Sequence, residues 1–197
     1  MTTPPSAATV CWSDLDAEEK RLRLLRTAGE VFARDGLDAP IPAIAAASGA
    51  GVGSIYRQFP SKRDLLAALV VEKLEDSERG AEAALAGPDG PWNELTALLW
   101  RLAERQAADV VLGEAMATVS THPDVDAAFT RTMAALERLL AAARAEGRLR
   151  PDATTLDLRL LFAATRAAAQ LEAGAWRRML ELGIRALETE APRRPSD

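Results

Sequence analysis

Ile44-Ala45-Ala46-Ala47-Ser48-Gly49-Ala50-Gly51-Val52-Gly53-Ser54-Ile55-Tyr56-Arg57-Gln58-Phe59 is the stretch that decides the fold. It reads as two short helices joined by a tight turn, an arrangement that sets the second helix into a DNA major groove. Ala45 is small enough for the helices to cross closely. Four residues later Gly49 supplies the positive φ that ends the first helix and turns the chain. Val52, Ile55 and Phe59 recur at i, i+3 and i+7, so the second helix has one apolar side. Gly53, Ser54, Arg57 and Gln58 then face outward, toward base edges and phosphates. The alternative is a plain helical hairpin within a core.

The flanking residues favour the DNA reading. Phe59-Pro60-Ser61-Lys62-Arg63-Asp64-Leu65-Leu66 breaks the recognition helix at a proline and restarts another at once. Ser61 with Asp64 three residues on is a capping-box pattern, which makes Ser61 the N-cap of a long helix. Lys62 and Arg63 fall in its first turn, where positive charge opposes the helix dipole. A phosphate bound at those backbone N–H groups accounts for them. Solvated surface charge is the plainer reading.

Over residues 20 to 66 the chain resembles the DNA-binding domain of the TetR (tetracycline-repressor) family. The matching residues are Leu24, Ala28, Phe32, Gly36, Ile44-Ala45, Gly49, Ser54-Ile55-Tyr56, Phe59-Pro60, Ser61-Lys62 and Leu65-Leu66. Beyond them the likeness is architectural. It implies a homodimeric, ligand-responsive transcriptional regulator, most often a repressor, in which Ser54, Tyr56 and Lys62 touch the DNA backbone. Two departures stand out. Where the family opens its second helix with hydroxyl residues, this chain has Ala39-Pro40-Ile41-Pro42, and proline sets the helix start instead. Gly51 replaces the usual Ser or Thr at the start of the recognition helix and caps without a side-chain acceptor. Arg57 is then the one obvious bidentate guanine reader. The DNA-contacting set is Gly51, Val52, Gly53, Ser54, Tyr56, Arg57 and Lys62.

Charge is divided unevenly. The 197 residues carry a net −5, which alone argues against nucleic acid. Residues 20 to 66, however, hold eight Lys/Arg against four acids, a net +4, which leaves −9 elsewhere. A basic head on an acidic body concentrates DNA affinity in one place. The single cysteine, Cys11, forms no intramolecular disulfide and suits a reducing compartment. There is no signal-peptide pattern and no apolar run of membrane-spanning length, so a cytoplasmic protein without membrane association is predicted.

The remaining pattern is helical, without strand alternation or repeats. A first helix opens near Asp16, with Glu19 three residues on, and presents Leu22, Leu25, Ala28 and Phe32 before Gly36. A fourth runs from Ser61 toward Leu85, with fraying near Gly80. Breaks at Gly87-Pro88-Asp89-Gly90, Thr121-His122-Pro123, Gly147 and Gly174 separate the later helices. The predicted fold is all-α with about nine helices. A helix-turn-helix DNA-binding domain (13–60) precedes a helical ligand-binding and dimerisation domain (61–190), between disordered tails at 1–12 and 191–197.

Two further surfaces are predicted. In the penultimate helix Leu156, Leu160, Ala163, Ala164, Ala167 and Leu171 form one apolar side, and Leu158, Leu161 and Phe162 widen it. A helix apolar on most sides must be covered on most sides. A second subunit is one cover, with Phe162, Ala163, Ala167, Gln170 and Gly174 at the interface; an internal core is the other. Trp92, Trp100, Met116, Phe129 and Met133 are candidates to line a pocket for a small, largely apolar effector, with ordinary core packing the alternative. No catalytic residue, cofactor or metal site is predicted: there is one Cys, one His and no glycine-rich phosphate loop. The partners expected are a double-stranded DNA operator, a second copy of the chain and the effector. A protein-binding helical adaptor, or an enzyme, is the alternative class.

Overall fold

The computed structural model describes residues 11–108 and 110–189. Apart from Cys11 and Trp12, where a short 3-10 turn Trp12–Asp14 begins, the expected tails lie outside the described residues. The described chain is helical, with nine α-helices. It forms two compact units divided between Leu69 and Val70, whereas the sequence pattern suggested a division at residue 60.

The first unit contains α1 (Ala17–Asp35), α2 (Ile41–Ser48), α3 (Val52–Gln58) and the start of α4 (Lys62–Leu85). Asp16 and Glu19 close a full capping box on α1, each carboxylate accepting the other's backbone N–H at 2.8 Å. Leu24, Leu25, Ala28, Val31 and Phe32 are the buried apolar arc of α1. Leu22, expected among them, falls outside that arc and is exposed. α1 packs on α2 and α2 on α3, and Ile41, Ile44 and Ala45 of α2, Ile55 of α3, Phe59, and Leu65 and Leu66 of α4 are buried as well. Pro40 caps α2 without a side-chain hydrogen bond.

The second unit holds the rest of α4 with α5 (Pro91–Ala108), α6 (Val110–Val119), α7 (Pro123–Ala145), α8 (Thr155–Leu171) and α9 (Ala175–Leu187). α4 does not fray at Gly80; it continues because Ala81 and Ala84 are buried in the core beside Leu95, Leu98 and Leu99 of α5. Arg131 of α7 reaches Glu75 and Glu78 of α4 at 3.2 and 3.4 Å, and Arg138 reaches Glu82 at 3.0 Å. The buried Thr132 hydroxyl donates to Leu74 O at 3.0 Å and Ala128 O at 2.9 Å. His122 caps α7, its Nδ1 accepting from the Asp124 N–H at 3.3 Å, which gives the lone histidine a structural role. Leu139, Leu140, Leu158 and Leu180 complete the core. A single antiparallel bridge between Leu149 and Glu188 ties the end of α9 to the α7–α8 connection.

Candidate DNA-binding surface and effector cavity

The turn between α2 and α3 is held by backbone conformation. Gly49 sits at φ +75°, and its N–H donates to Ala45 O. Ser48, fully buried, donates its hydroxyl to Ala45 O at 3.2 Å and accepts the Ala50 N–H at 3.3 Å. Ile55 and Phe59 are buried, which fixes the rotation of α3 about its axis. Gly51, Gly53, Tyr56 and Arg57 are left exposed, with Ser54 half-buried. Val52, expected on the buried side, is the first residue of α3 and is 38% exposed. Gln58, expected outward, is half-buried.

Ser61 and Asp64 form the expected cap on α4: the Asp64 N–H donates to Ser61 Oγ at 3.2 Å, and that hydroxyl donates to Asp64 Oδ2 at 2.5 Å. Lys62 follows in the first turn, its Nζ 5.8 Å from the centroid of the Phe32 ring. Arg21 lies over the Phe59 ring at 5.0 Å. These aromatic contacts hold two cations against the unit without neutralising them. Elsewhere on the chain, hydrogen bonds from Arg34 and Arg150 hold the exposed carboxyls of Asp35 and Asp152 below the usual carboxylate range.

The second unit contains a cavity of about 620 Å³, within the usual size range of small-molecule sites. Met116, Phe129 and Met133 line it, as the sequence suggested. Trp92 and Trp100 do not. Trp92 is buried in the core, and its backbone N–H donates to Glu146 Oε2 at 2.8 Å. Trp100 packs edge-on against Trp176, with ring centroids 6.1 Å apart. Eight residues on one helix separate their directions by about 80°, and both rings pack with the core of the second unit, off the wall of this cavity.

Phe162, expected at a subunit interface, lines this cavity, and its carbonyl accepts from Gln106 Nε2 at 3.0 Å. Ala163 is exposed at the cavity edge and Ala167 is exposed beyond it. Gln170 borders a second pocket of about 90 Å³, and Gly174 starts α9 at φ +86°. Leu158, Leu161 and Thr165 form the buried side of α8. The sequence reading missed Lys73, Arg105, Arg159 and Arg166 in the cavity wall. The signal was there in α8, where Arg159 and Arg166 are the only two cations and lie seven residues apart on one side.

Among the described residues, no group of three His, Cys, Asp or Glu could hold a metal ion. No described helix is long and apolar enough to cross a membrane. A helix-turn-helix with an outward face on its second helix is the architecture of a DNA-binding transcriptional regulator. The chain belongs to the TetR family of bacterial regulatory proteins. Residues 24–69 match the family's N-terminal model (bacterial regulatory proteins, tetR family), and residues 90–189 match a C-terminal domain described as transcriptional regulator SbtR-like.

The chain is 27% identical over 127 residues to the HTH-type transcriptional repressor KstR of Mycolicibacterium smegmatis. That match spans 62% of this chain and 62% of the relative, less than two thirds of its length. A TetR transcriptional regulator from Streptomyces coelicolor superposes with a TM-score of 0.66 at 27% identity, over 87% of this chain and 99% of that one. A TetR transcription regulatory protein from Mycobacterium vanbaalenii gives 0.63 at 28% identity, over 86% and 95%.

Proposed function

We propose that the protein is an effector-released repressor that binds a pseudo-palindromic operator as a homodimer. The observation that carries this reading is the helix-turn-helix itself. Gly49 locks the turn, Ile55 and Phe59 are buried, and Ser54, Tyr56 and Arg57 remain on the outward side with Lys62 at the next helix start. Residues 13–60 and the first turn of α4 do the reading, and the remaining helices regulate it. Lys62, Ser54 and Tyr56 position the duplex through phosphates, while Arg57 reads a base edge. Its relative KstR is a repressor, which supports that direction of control.

The dimer is supported by a surface the single chain leaves uncovered. Leu156, Leu160 and Leu171 of α8 are 54, 59 and 86% exposed, and Leu182 of α9 is 45% exposed. Ala163 and Ala167, small and exposed, lie on the same side of α8 and allow close helix approach. Large leucines at such exposure on adjacent helices form an apolar patch suited to a partner. The same patch on a second copy gives an isologous interface. Phe162 lines the cavity, on a different side of α8 from these leucines.

Release follows if the effector prefers a conformation with wrongly spaced recognition helices. The mechanical link is α4, which begins with Lys62 and contributes Lys73, Leu74 and Ser77 to the cavity wall. Selection from random duplexes at moderate salt should return a motif with two half-sites one helical turn apart. Absence of an enriched motif would overturn the regulator reading. Arg57→Ala should relax preference at one position of each half-site, and an unchanged motif would remove it as the reader.

A further inference from the structure

The cavity wall carries a charge pattern opposite to the chain around it. The protein is acidic overall, yet Lys73, Arg105, Arg159 and Arg166 line the cavity and, among the described residues, no Asp or Glu does. Arg105 is partly satisfied by Asp76 at 3.4 Å. Among the described residues no carboxylate pairs with Lys73, Arg159 or Arg166. Arg159 instead rests over the Phe129 ring, 5.4 Å from its centroid.

The neutral polar groups are already engaged by the protein. Ser77 donates to Lys73 O at 2.9 Å, Thr132 to Leu74 O at 3.0 Å, and Gln106 to Phe162 O at 3.0 Å. With both hydroxyl protons and one Gln106 N–H committed, most of the wall's remaining donors belong to the four cations, set among Leu102, Met116, Phe129, Met133, Leu136 and Phe162.

Gly113 of α6 adds an independent observation. A Cβ there would run into Arg166 Nη1 and come within 3.3 Å of its Cδ. Glycine inside a helix costs about 1 kcal/mol against alanine, and here its bare backbone is what lets the guanidinium lie across α6. Arginine presents a planar fork matched to carboxylate and phosphate oxygens.

Building on the effector reading, we propose that this cavity binds an anionic amphipath: a molecule with an apolar body and a carboxylate or phosphate head. The body lies against Phe129, Met116, Met133 and Phe162. Arg159 and Arg166 hold the head, and Lys73 and Arg105 supply the surrounding positive field.

Decanoate, monodecyl phosphate and 1-decanol, each below its aggregation limit, test this by isothermal titration against the full-length protein. At least one of the two anions should bind about ten-fold or more tightly than the alcohol, the scale of a charge-assisted hydrogen bond. The anion that binds tighter names the head group. In Arg159→Gln/Arg166→Gln that advantage should shrink about ten-fold while alcohol binding is kept. Equal affinity for all three ligands, no saturable anion binding in the native protein, or an unchanged preference in the folded double variant overturns the proposal. The head-group comparison on the native protein decides the matter even if the variant misfolds. Operator retention is measured separately: an anion that binds through these arginines yet leaves DNA affinity unchanged refutes the release mechanism and leaves the ligand class standing.

Discussion

Alanine at Gly49 and at Gly53, four residues apart, should change stability in opposite directions. Gly49 occupies φ +75° between α2 and α3, where a Cβ crowds the following carbonyl. The added methyl would meet nothing nearer than Arg23 Nη2 at 3.8 Å, so packing neither helps nor hurts. The penalty is the backbone's alone, about 1 kcal/mol. Gly53 lies within α3, and a Cβ there has nothing within 4 Å. Alanine at that position gains up to about 1 kcal/mol of helix propensity, partly by restricting the unfolded chain.

The two variants are thus expected to differ by about 2 kcal/mol. Hydrogen–deuterium exchange over peptides spanning residues 41–59 reads this locally. With tenfold per 1.4 kcal/mol, exchange should be about five-fold faster in Gly49→Ala and up to about five-fold slower in Gly53→Ala. Equal rates in the two variants, or slower exchange in Gly49→Ala, would refute the left-handed constraint at this turn. Gly53→Ala should nonetheless weaken operator binding, because its methyl projects from the exposed side of α3.

Lys62→Ala should weaken binding to all duplexes alike and reduce the salt slope of the affinity by about one unit; a selective loss on one sequence would argue against a phosphate contact. Leu160→Glu with Leu171→Glu should convert the protein to monomer in sedimentation velocity while its helicity is kept, and an unchanged sedimentation coefficient would exclude this face as the interface. Thr132→Val should destabilise the second unit by about 1 kcal/mol in urea denaturation, since the hydroxyl bond from α7 to the Leu74 carbonyl is lost; no change would mean that bond contributes nothing net.

Local rules written in the chain settled the helix-turn-helix. The caps at Asp16 and Ser61, the turn at Gly49 and the buried Ile55 and Phe59 each depend on residues within a few positions of one another. Short-range sterics and hydrogen bonding are legible without knowing the fold. Gly80 shows the limit. Its propensity suggested fraying, and burial of Ala81 and Ala84 against α5 overrode it.

The body of the protein lies on the other side of that limit. Periodicity marked α8 as apolar nearly all round, but it could not sort the leucines. Tertiary packing decided that Leu158 and Leu161 go to the core while Leu156, Leu160 and Leu171 stay exposed. It likewise removed Trp92 and Trp100 from the cavity and brought in Phe162, Lys73 and three arginines from α4, α5 and α8. A cavity is the space left when helices distant in sequence pack, so its wall is set by crossing angles and side-chain volumes between elements. The sequence alone thus determined the helices, their caps and the buried Ile55 and Phe59 that orient α3. Only the tertiary structure decided which charged and aromatic side chains line one cavity, because that depends on long-range packing, which no local spacing encodes.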